Sequence, residues 1–383
     1  MCKFKIGIRK NLRYPLMLIV FIALRKLVEL LMNRICDYSN GFFICPLLIF
    51  VSQFLAGFIH ILFNNCKVKK NSQKIKKYSV IELIQNKIEL IQSDNQIKIF
   101  ILIILASYFN YFSIINRRGK IHPFHFENRI RCIQIVFSGL LCYFTIRTKI
   151  FRHQLFSLII IFVIVIITIA IDFCFEGSRY DLLIFYSSGI FSCFLRAFLD
   201  TIEKYLFEFD YLDPYKILMS EGLIGCLLLP FLLFLDKTYE DINDIFENTN
   251  WQLLIFILFI YFILNSFENI YRVLTIKSYS PMTRALAETI IDPIIFIYSS
   301  YKEINEKKYL ILILIFLLIT TFLSLVYNDF IVFYCCGFEY DTHLEIQKRA
   351  ILNENINGSI MDLEINNSFE EEDNNEKTEL SVQ

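Results

Sequence analysis

An all-α membrane protein, with ten transmembrane helices in two five-helix inverted repeats, is the fold class this sequence predicts. Three observations lead there. Of 383 residues, 56% are hydrophobic and the mean hydropathy is +0.51, above the ~45–50% apolar share of soluble domains. The apolar residues gather in ten runs, each near the length that crosses a bilayer. These runs divide into two sets of five with matching polar interruptions. Basic and acidic residues number 38 each, so the chain lacks the basic surplus of a nucleic-acid binder. Forty Phe and 21 Tyr beside 11 Gly and 7 Pro exclude a disordered or collagen-like chain.

A membrane helix needs about 20 mostly apolar residues to cross a ~30 Å hydrocarbon core. The ten stretches are 14–33, 42–63, 97–115, 131–145, 153–173, 181–206, 214–235, 251–273, 280–299 and 309–333. The first has an apolar core of only 15–24 before Arg25 and Lys26. It resembles a signal peptide, but no small-x-small cleavage pattern follows, so it reads as a retained helix. Arg25 and Lys26 read as snorkelling anchors at its end. The fourth stretch is short.

Lys and Arg orient the chain. With the basic N-terminus 1–13 in the cytosol, Lys67, Lys69, Lys70, Lys74, Lys76 and Lys77 follow span 2 on the same side. Arg147, Lys149, Arg152, Arg272, Lys277, Lys348 and Arg349 join them there. The loop between spans 3 and 4, with Arg117, Arg118, Lys120, Arg129 and Arg131, runs against the rule. Ten spans return the C-terminus to the cytosol. The first repeat is then 14–173 with a cytosolic loop at 64–96, and the second is 181–335. Within the loop, Ile81, Ile84, Ile88 and Ile91 recur at helical spacing, which suits a short amphipathic helix on the membrane surface or on a partner. The tail 351–383 is acidic and Asn-rich and reads as disordered. Asn357 and Asn366 begin glycosylation patterns that a cytosolic tail never presents to the enzyme.

Arg131 placed against Arg284 aligns spans 4 and 5 with spans 9 and 10, and Lys149 then meets Lys302. Span 3 falls on span 8. Each half holds an odd number of spans, so like halves must lie upside down relative to each other. Such inverted repeats characterise secondary transporters, whose substrate site lies near the midplane.

A charge at the bilayer centre costs ~2.5–3.5 kcal/mol on insertion scales, so these residues face a cavity or each other. Span 9 carries Arg284, Glu288 and Asp292 on one helical stripe, with Pro281 and Pro293 able to free carbonyls toward a cavity. Span 8 carries Asn265, Glu268 and Arg272. Span 6 carries Arg196, Asp200 and Lys204 with Glu203; span 7 adds Glu221, and span 4 opens with Arg131 and Gln134. In a functional reading, Arg131 and Arg284 grip an anionic substrate bidentately, and Gln134, Asn265, Glu268, Glu288 and Asp292 line the site. In the competing reading these charges pair and hold helices together.

Other chemistry is not indicated. There is no P-loop, HExxH or GxSxG, so no enzyme activity and no cofactor are expected. His122, His125 and Glu127 lack further metal ligands and read as a polar loop. Of 11 Cys, Cys132, Cys142, Cys174, Cys193 and Cys226 sit within or beside apolar runs as small hydrophobes. Cys36 and Cys45 flank one loop and are able to pair, whereas Cys335 and Cys336 end span 10 as packed or palmitoylated thiols.

Several stretches resemble the drug/metabolite transporter superfamily, in particular its nucleotide-sugar-transporter-like carriers. They are Arg131-Cys-Ile-Gln-Ile-Val-Phe-Ser-Gly-Leu-Leu, Lys149-Ile-Phe-Arg-His153, Glu203-Lys-Tyr-Leu206, Asp213-Pro-Tyr-Lys-Ile-Leu-Met-Ser-Glu-Gly222, Ser280-Pro-Met-Thr-Arg-Ala-Leu-Ala-Glu288 and Val326-Tyr-Asn-Asp329. The resemblance implies exchange of a cytosolic nucleotide sugar for a lumenal nucleoside monophosphate in Golgi or endoplasmic reticulum membranes. It implies that Arg131, Gln134, Arg284 and Glu288 contribute to the central site. The ninth span lacks the Gly-Ala-Leu-Asn-Lys of the GDP-mannose carriers, which argues against that substrate. The expectation is an alternating-access antiporter of an anionic metabolite, its partners being the substrate, the bilayer and, as an open option, a second copy in a homodimer. A carrier for a cationic or vitamin-like metabolite and a non-transporting scaffold are the rivals.

Overall fold

The computed structural model describes residues 3–6, 13–36, 44–72, 96–118, 129–175, 179–235, 251–304 and 308–334. The amphipathic loop segment, the His122–His125–Glu127 group, the Cys335–Cys336 pair and the acidic tail lie outside these residues. So do the side chains of Cys36 and Cys45.

Each of the ten apolar stretches contains a helix. In chain order these are α1 (Arg13–Cys36), α2 (Ile44–Ser72), α3 (Gln96–Arg118), α4 (Ile133–Thr145), α5 (Arg152–Phe175), α6 (Arg179–Glu208), α7 (Pro214–Leu235), α8 (Trp251–Ser278), α9 (Pro281–Thr289), α10 (Asp292–Ile304) and α11 (Tyr309–Tyr327). Among the described residues, four helical stretches are long and apolar enough to cross a membrane: Arg152–Phe175, Leu182–Glu208, Ile255–Ser278 and Tyr309–Tyr327. Pro46–Leu62, Lys98–Phe112 and Ile133–Thr145 are shorter apolar helices.

The distribution of side chains is inverted relative to a soluble protein. Along α5, Leu155, Phe156, Ile159, Phe162, Val163, Ile166 and Ile167 point outward, while His153, Ser157, Thr168 and Asp172 are buried. Such a surface suits hydrocarbon, with polar groups turned inward to satisfy one another. The described cysteines are free thiols, and Cys132, Cys142 and Cys193 are buried.

Two features depart from ten uninterrupted helices. The ninth stretch breaks at Ile290–Ile291 into α9 and α10. Pro293 has no N–H to give the Thr289 carbonyl one turn back; Thr321 Oγ1 of α11 donates to that oxygen instead, at 3.1 Å. The tenth stretch ends earlier than its apolarity suggests. Asp329 takes φ 59°, the Asp329 N–H bonds Val326 O at 3.1 Å, and the Phe330 N–H bonds Leu325 O at 3.0 Å, a Schellman termination. The chain then enters a strand, Ile331–Tyr334, which pairs antiparallel with Lys3–Ile6, Lys3 opposite Tyr334 and Ile6 opposite Ile331. This ribbon joins the segment before α1 to the segment after α11.

Helix contacts come in related pairs. α1 packs on α8 and α3 on α6; α2 packs on α8 and α7 on α3; α1 packs on α9 and α6 on α4. With α9 and α10 counted as one element, a shift of five elements exchanges the members of each pair. It maps the contacts α2–α7, α4–α9 and α5–α11 onto themselves. The α8–α6 and α8–α9 contacts have no counterpart of similar extent on α3.

The α2–α7 crossing shows the same relation at residue level. A Cβ on Gly57 would meet Tyr215 O at 2.6 Å and Met219 N at 2.8 Å; one on Gly222 would meet the Phe54 backbone nitrogen and, at 2.6 Å, Phe50 O. Each glycine thus faces the backbone seven and three positions before the other. Contacts advance along α2 as they retreat along α7, so the helices run antiparallel, and small residues let the backbones touch. Gly222→Ala is expected to force these backbones apart and cost about 1–3 kcal/mol, read as a lower melting temperature of the detergent-purified protein. An unchanged melting temperature would contradict the close approach.

Candidate functional site: a polar cavity beside a buried ion-pair network

A cavity opens among α1, α2, α3, α6 and α8. Arg25, Gln53, Asn110, Arg196, Asn265, Glu268, Asn269 and Arg272 supply its polar wall, and Ile49, Ile114 and Leu199 its apolar wall. Its free space of about 60 Å³ has room for a few water molecules. Asn265, Glu268, Asn269 and Arg272 recur at helical spacing and therefore share one face of α8.

One side of the wall is a chain of amides. Asn110 Nδ2 donates to Gln53 Oε1 at 3.0 Å, and Gln53 Nε2 donates to Asn269 Oδ1 at 3.2 Å. Asn269 Nδ2 donates to Asn265 O at 2.9 Å, and Asn265 Nδ2 to Ser52 Oγ. These bonds tie α2, α3 and α8 together through groups that the lipid would leave unsatisfied.

The other side is ionic. Arg25 pairs with Glu268, and with Glu29 at 2.6 Å; Tyr261 Oη also donates to Glu29, at 3.2 Å. Arg272 Nη1 lies 2.8 Å from Glu203 and Nη2 lies 2.7 Å from Glu221, with Asp200 Oδ1 at 3.9 Å. Arg284 holds Asp200 Oδ2 at 2.7 Å and Glu288 Oε1 at 3.0 Å. Arg196 reaches the same Glu288 oxygen at 2.8 Å. A guanidinium offers several donors in a fixed plane, so Arg25, Arg272 and Arg284 each hold two carboxylates at once.

The site residues expected from the sequence fall in two places. Asn265 and Glu268 line the cavity. Arg131, Gln134, Arg284, Glu288 and Asp292 are buried and are not among its lining residues. Arg131 pairs with Asp292 across spans 4 and 9 at 2.6 Å, and Gln134 Nε2 donates to Asp200 Oδ2 at 3.1 Å. The remaining members reach the wall through Arg196 and Arg272. Arg25 and Lys26, expected as interfacial anchors, are both buried; Arg25 faces inward to pair with Glu29 and Glu268. At its far end Lys204 pairs with Glu208 at 3.0 Å.

Gln53, Asn110, Asn269 and Glu29 were missed in the sequence. The signal of the three amides was a polar side chain inside an otherwise apolar run, which is faint for an uncharged group; Glu29 lies past the apolar core 15–24 of the first stretch. Further pairs brace the periphery: Arg129 with Asp172 at 2.6 Å, and His153 Nε2 at 2.7 Å from Asp329. Among the described residues, no cluster of His, Cys, Asp and Glu is arranged to hold a metal.

No protein-family model matches the chain, and no curated protein matches it.

Removing one member of a buried pair strands the other charge. Arg272→Ala leaves Glu203 and Glu221 without their guanidinium and is expected to cost about 3–5 kcal/mol. The triple variant Arg272→Met/Glu203→Gln/Glu221→Gln removes all three charges and is expected to regain most of that loss. Thermal unfolding of the purified variants checks both, and a single variant as stable as the wild type would contradict the pairing.

Proposed function

We propose that the chain is a secondary membrane transporter of ten spans in two inverted five-span repeats, working by alternating access. The observation that carries this reading is the polar cavity enclosed by helices of both halves: α1, α2 and α3 on one side, α6 and α8 on the other. Carriers with inverted repeats bind substrate at that interface. The exchange of helix contacts under a five-span shift and the reciprocal, antiparallel Gly57–Gly222 crossing support the repeat. The ribbon between the segments flanking α1 and α11 supports an even number of crossings, with both termini on one side. The Lys and Arg bias supports the cytosol as that side.

The substrate we propose is an anionic metabolite such as a nucleotide sugar, exchanged in a Golgi or endoplasmic reticulum membrane. Three guanidinium groups on the cavity wall, from Arg25, Arg196 and Arg272, support an anion. At about 60 Å³ the cavity is far smaller than a drug-sized pocket of ~300–1,000 Å³. A nucleotide sugar therefore enters only when the halves have moved apart, and the arrangement described is the closed one.

A cationic substrate is the second reading. It is favoured by the ionic cluster of Arg196, Arg272 and Arg284, which faces four carboxylates, Asp200, Glu203, Glu221 and Glu288.

Thermal stability of the purified protein against nucleotide sugars, nucleoside monophosphates, amines and vitamins separates the two. A ligand at 100 times its dissociation constant adds about 2.7 kcal/mol. The expected result is stabilisation by one nucleotide sugar and its matching monophosphate. Stabilisation by amines or vitamins alone would favour the second reading, and a flat panel from folded protein would contradict both.

A further inference from the structure

The three cavity arginines are not equivalent. Each is neutralised in the closed arrangement, so an incoming anion must displace a carboxylate. Withdrawing Arg25 strands Glu268, whose ion pair is with Arg25. Withdrawing Arg272 strands Glu203 and Glu221 together. A stranded buried charge is strongly destabilising, so these two arginines are locked to their partners. Arg196 differs: the Glu288 oxygen it holds at 2.8 Å is also held by Arg284, at 3.0 Å. When Arg196 turns away, Glu288 keeps a counter-ion. Arg196 is also the most open of the three, its side chain 13% exposed against 8% for Arg25 and 5% for Arg272.

We infer that Arg196 receives the oxyanion head of the substrate, phosphate or carboxylate, and that Glu288 is the internal anion it releases. This rests on the reading of the chain as a transporter of an anionic metabolite. A planar guanidinium matches either head bidentately. Across the same cavity, Gln53, Asn110 and Asn269 present amides to the hydroxyl or carbonyl groups of the neutral part. Glu288 thus acts as a built-in competitor. It balances the charge of Arg196 when no substrate is bound and lowers the affinity for every anion. In the same exchange α6 and α9 lose one of the two ion-paired ties between them, while Arg284–Asp200 remains.

The competitor makes a prediction that a structural ion pair does not: its two members act with opposite sign. Binding of uridine monophosphate and of inorganic phosphate is measured by calorimetry on the purified full-length protein and its variants. Arg196→Ala is expected to weaken uridine monophosphate binding by about tenfold or more, with Arg196→Lys between it and the wild type. Glu288→Gln, which removes the competitor, is expected to tighten binding several-fold. Unliganded melting temperatures of the variants establish that each is folded. If Arg196→Ala binds like the wild type, or Glu288→Gln weakens binding in parallel with Arg196→Ala, the assignment of Arg196 is overturned while the transport reading stands. A wild-type protein that binds neither inorganic phosphate nor any of uridine, guanosine, cytidine and adenosine monophosphates overturns the nucleotide-sugar class of substrate, and the assignment with it. Phosphate binding without nucleotide binding would overturn the amide wall as the seat of the neutral part.

Discussion

A charge taken out of water must find its counter-charge within the protein, and that constraint organises the interior of this molecule. Asp200 stands at its centre: Oδ2 accepts from Arg284 and Gln134, and Oδ1 lies 3.9 Å from Arg272. Through that one side chain α4, α6, α8 and α9 are joined, and Arg272 adds α7 through Glu221. In a low-dielectric interior no member of such a network can be withdrawn cheaply. Helices that carry little hydrophobic drive to associate in lipid are therefore held in one arrangement by polar partners.

Two kinds of helix contact serve different purposes here. At the α2–α7 crossing, Gly57 and Gly222 bring backbones together with no side chain between them, a contact with little room to rearrange. Around the cavity, the contacts are ion pairs and amide bonds, and one carboxylate is shared: Glu288 is held by two arginines through one oxygen, so losing one leaves it paired with the other. A closely fitted backbone seam thus lies beside a network in which at least one carboxylate is shared between two guanidinium groups.

How much of this was legible in the sequence depended on how costly each residue is in lipid. Ten apolar runs announced the helices because a spanning helix has to be apolar for some 20 residues. The ends were less legible. The residues of Ile331–Tyr334 are as apolar as those of a span, yet they form a strand once Asp329 turns the chain. Pro293 signalled a freed carbonyl in the ninth stretch, but neither the break at Ile290–Ile291 nor that Thr321 would serve that oxygen. Charges such as Arg284 and Glu268 stood out because they are expensive. Which charge pairs with which was less legible, since many of the pairings span long separations, 243 positions from Arg25 to Glu268. Gln53 and Asn110 cost too little to stand out and gain meaning only when bonded across α2 and α3.

Carrier action itself is most directly tested by counterflow. Liposomes containing the purified protein are loaded with unlabelled nucleoside monophosphates and diluted into a trace of the labelled compounds. A carrier that exchanges one bound molecule for another draws label inward above its equilibrium level before it decays, and that overshoot is the predicted result. Label that only equilibrates, or uptake equal to that of protein-free liposomes, would contradict the account.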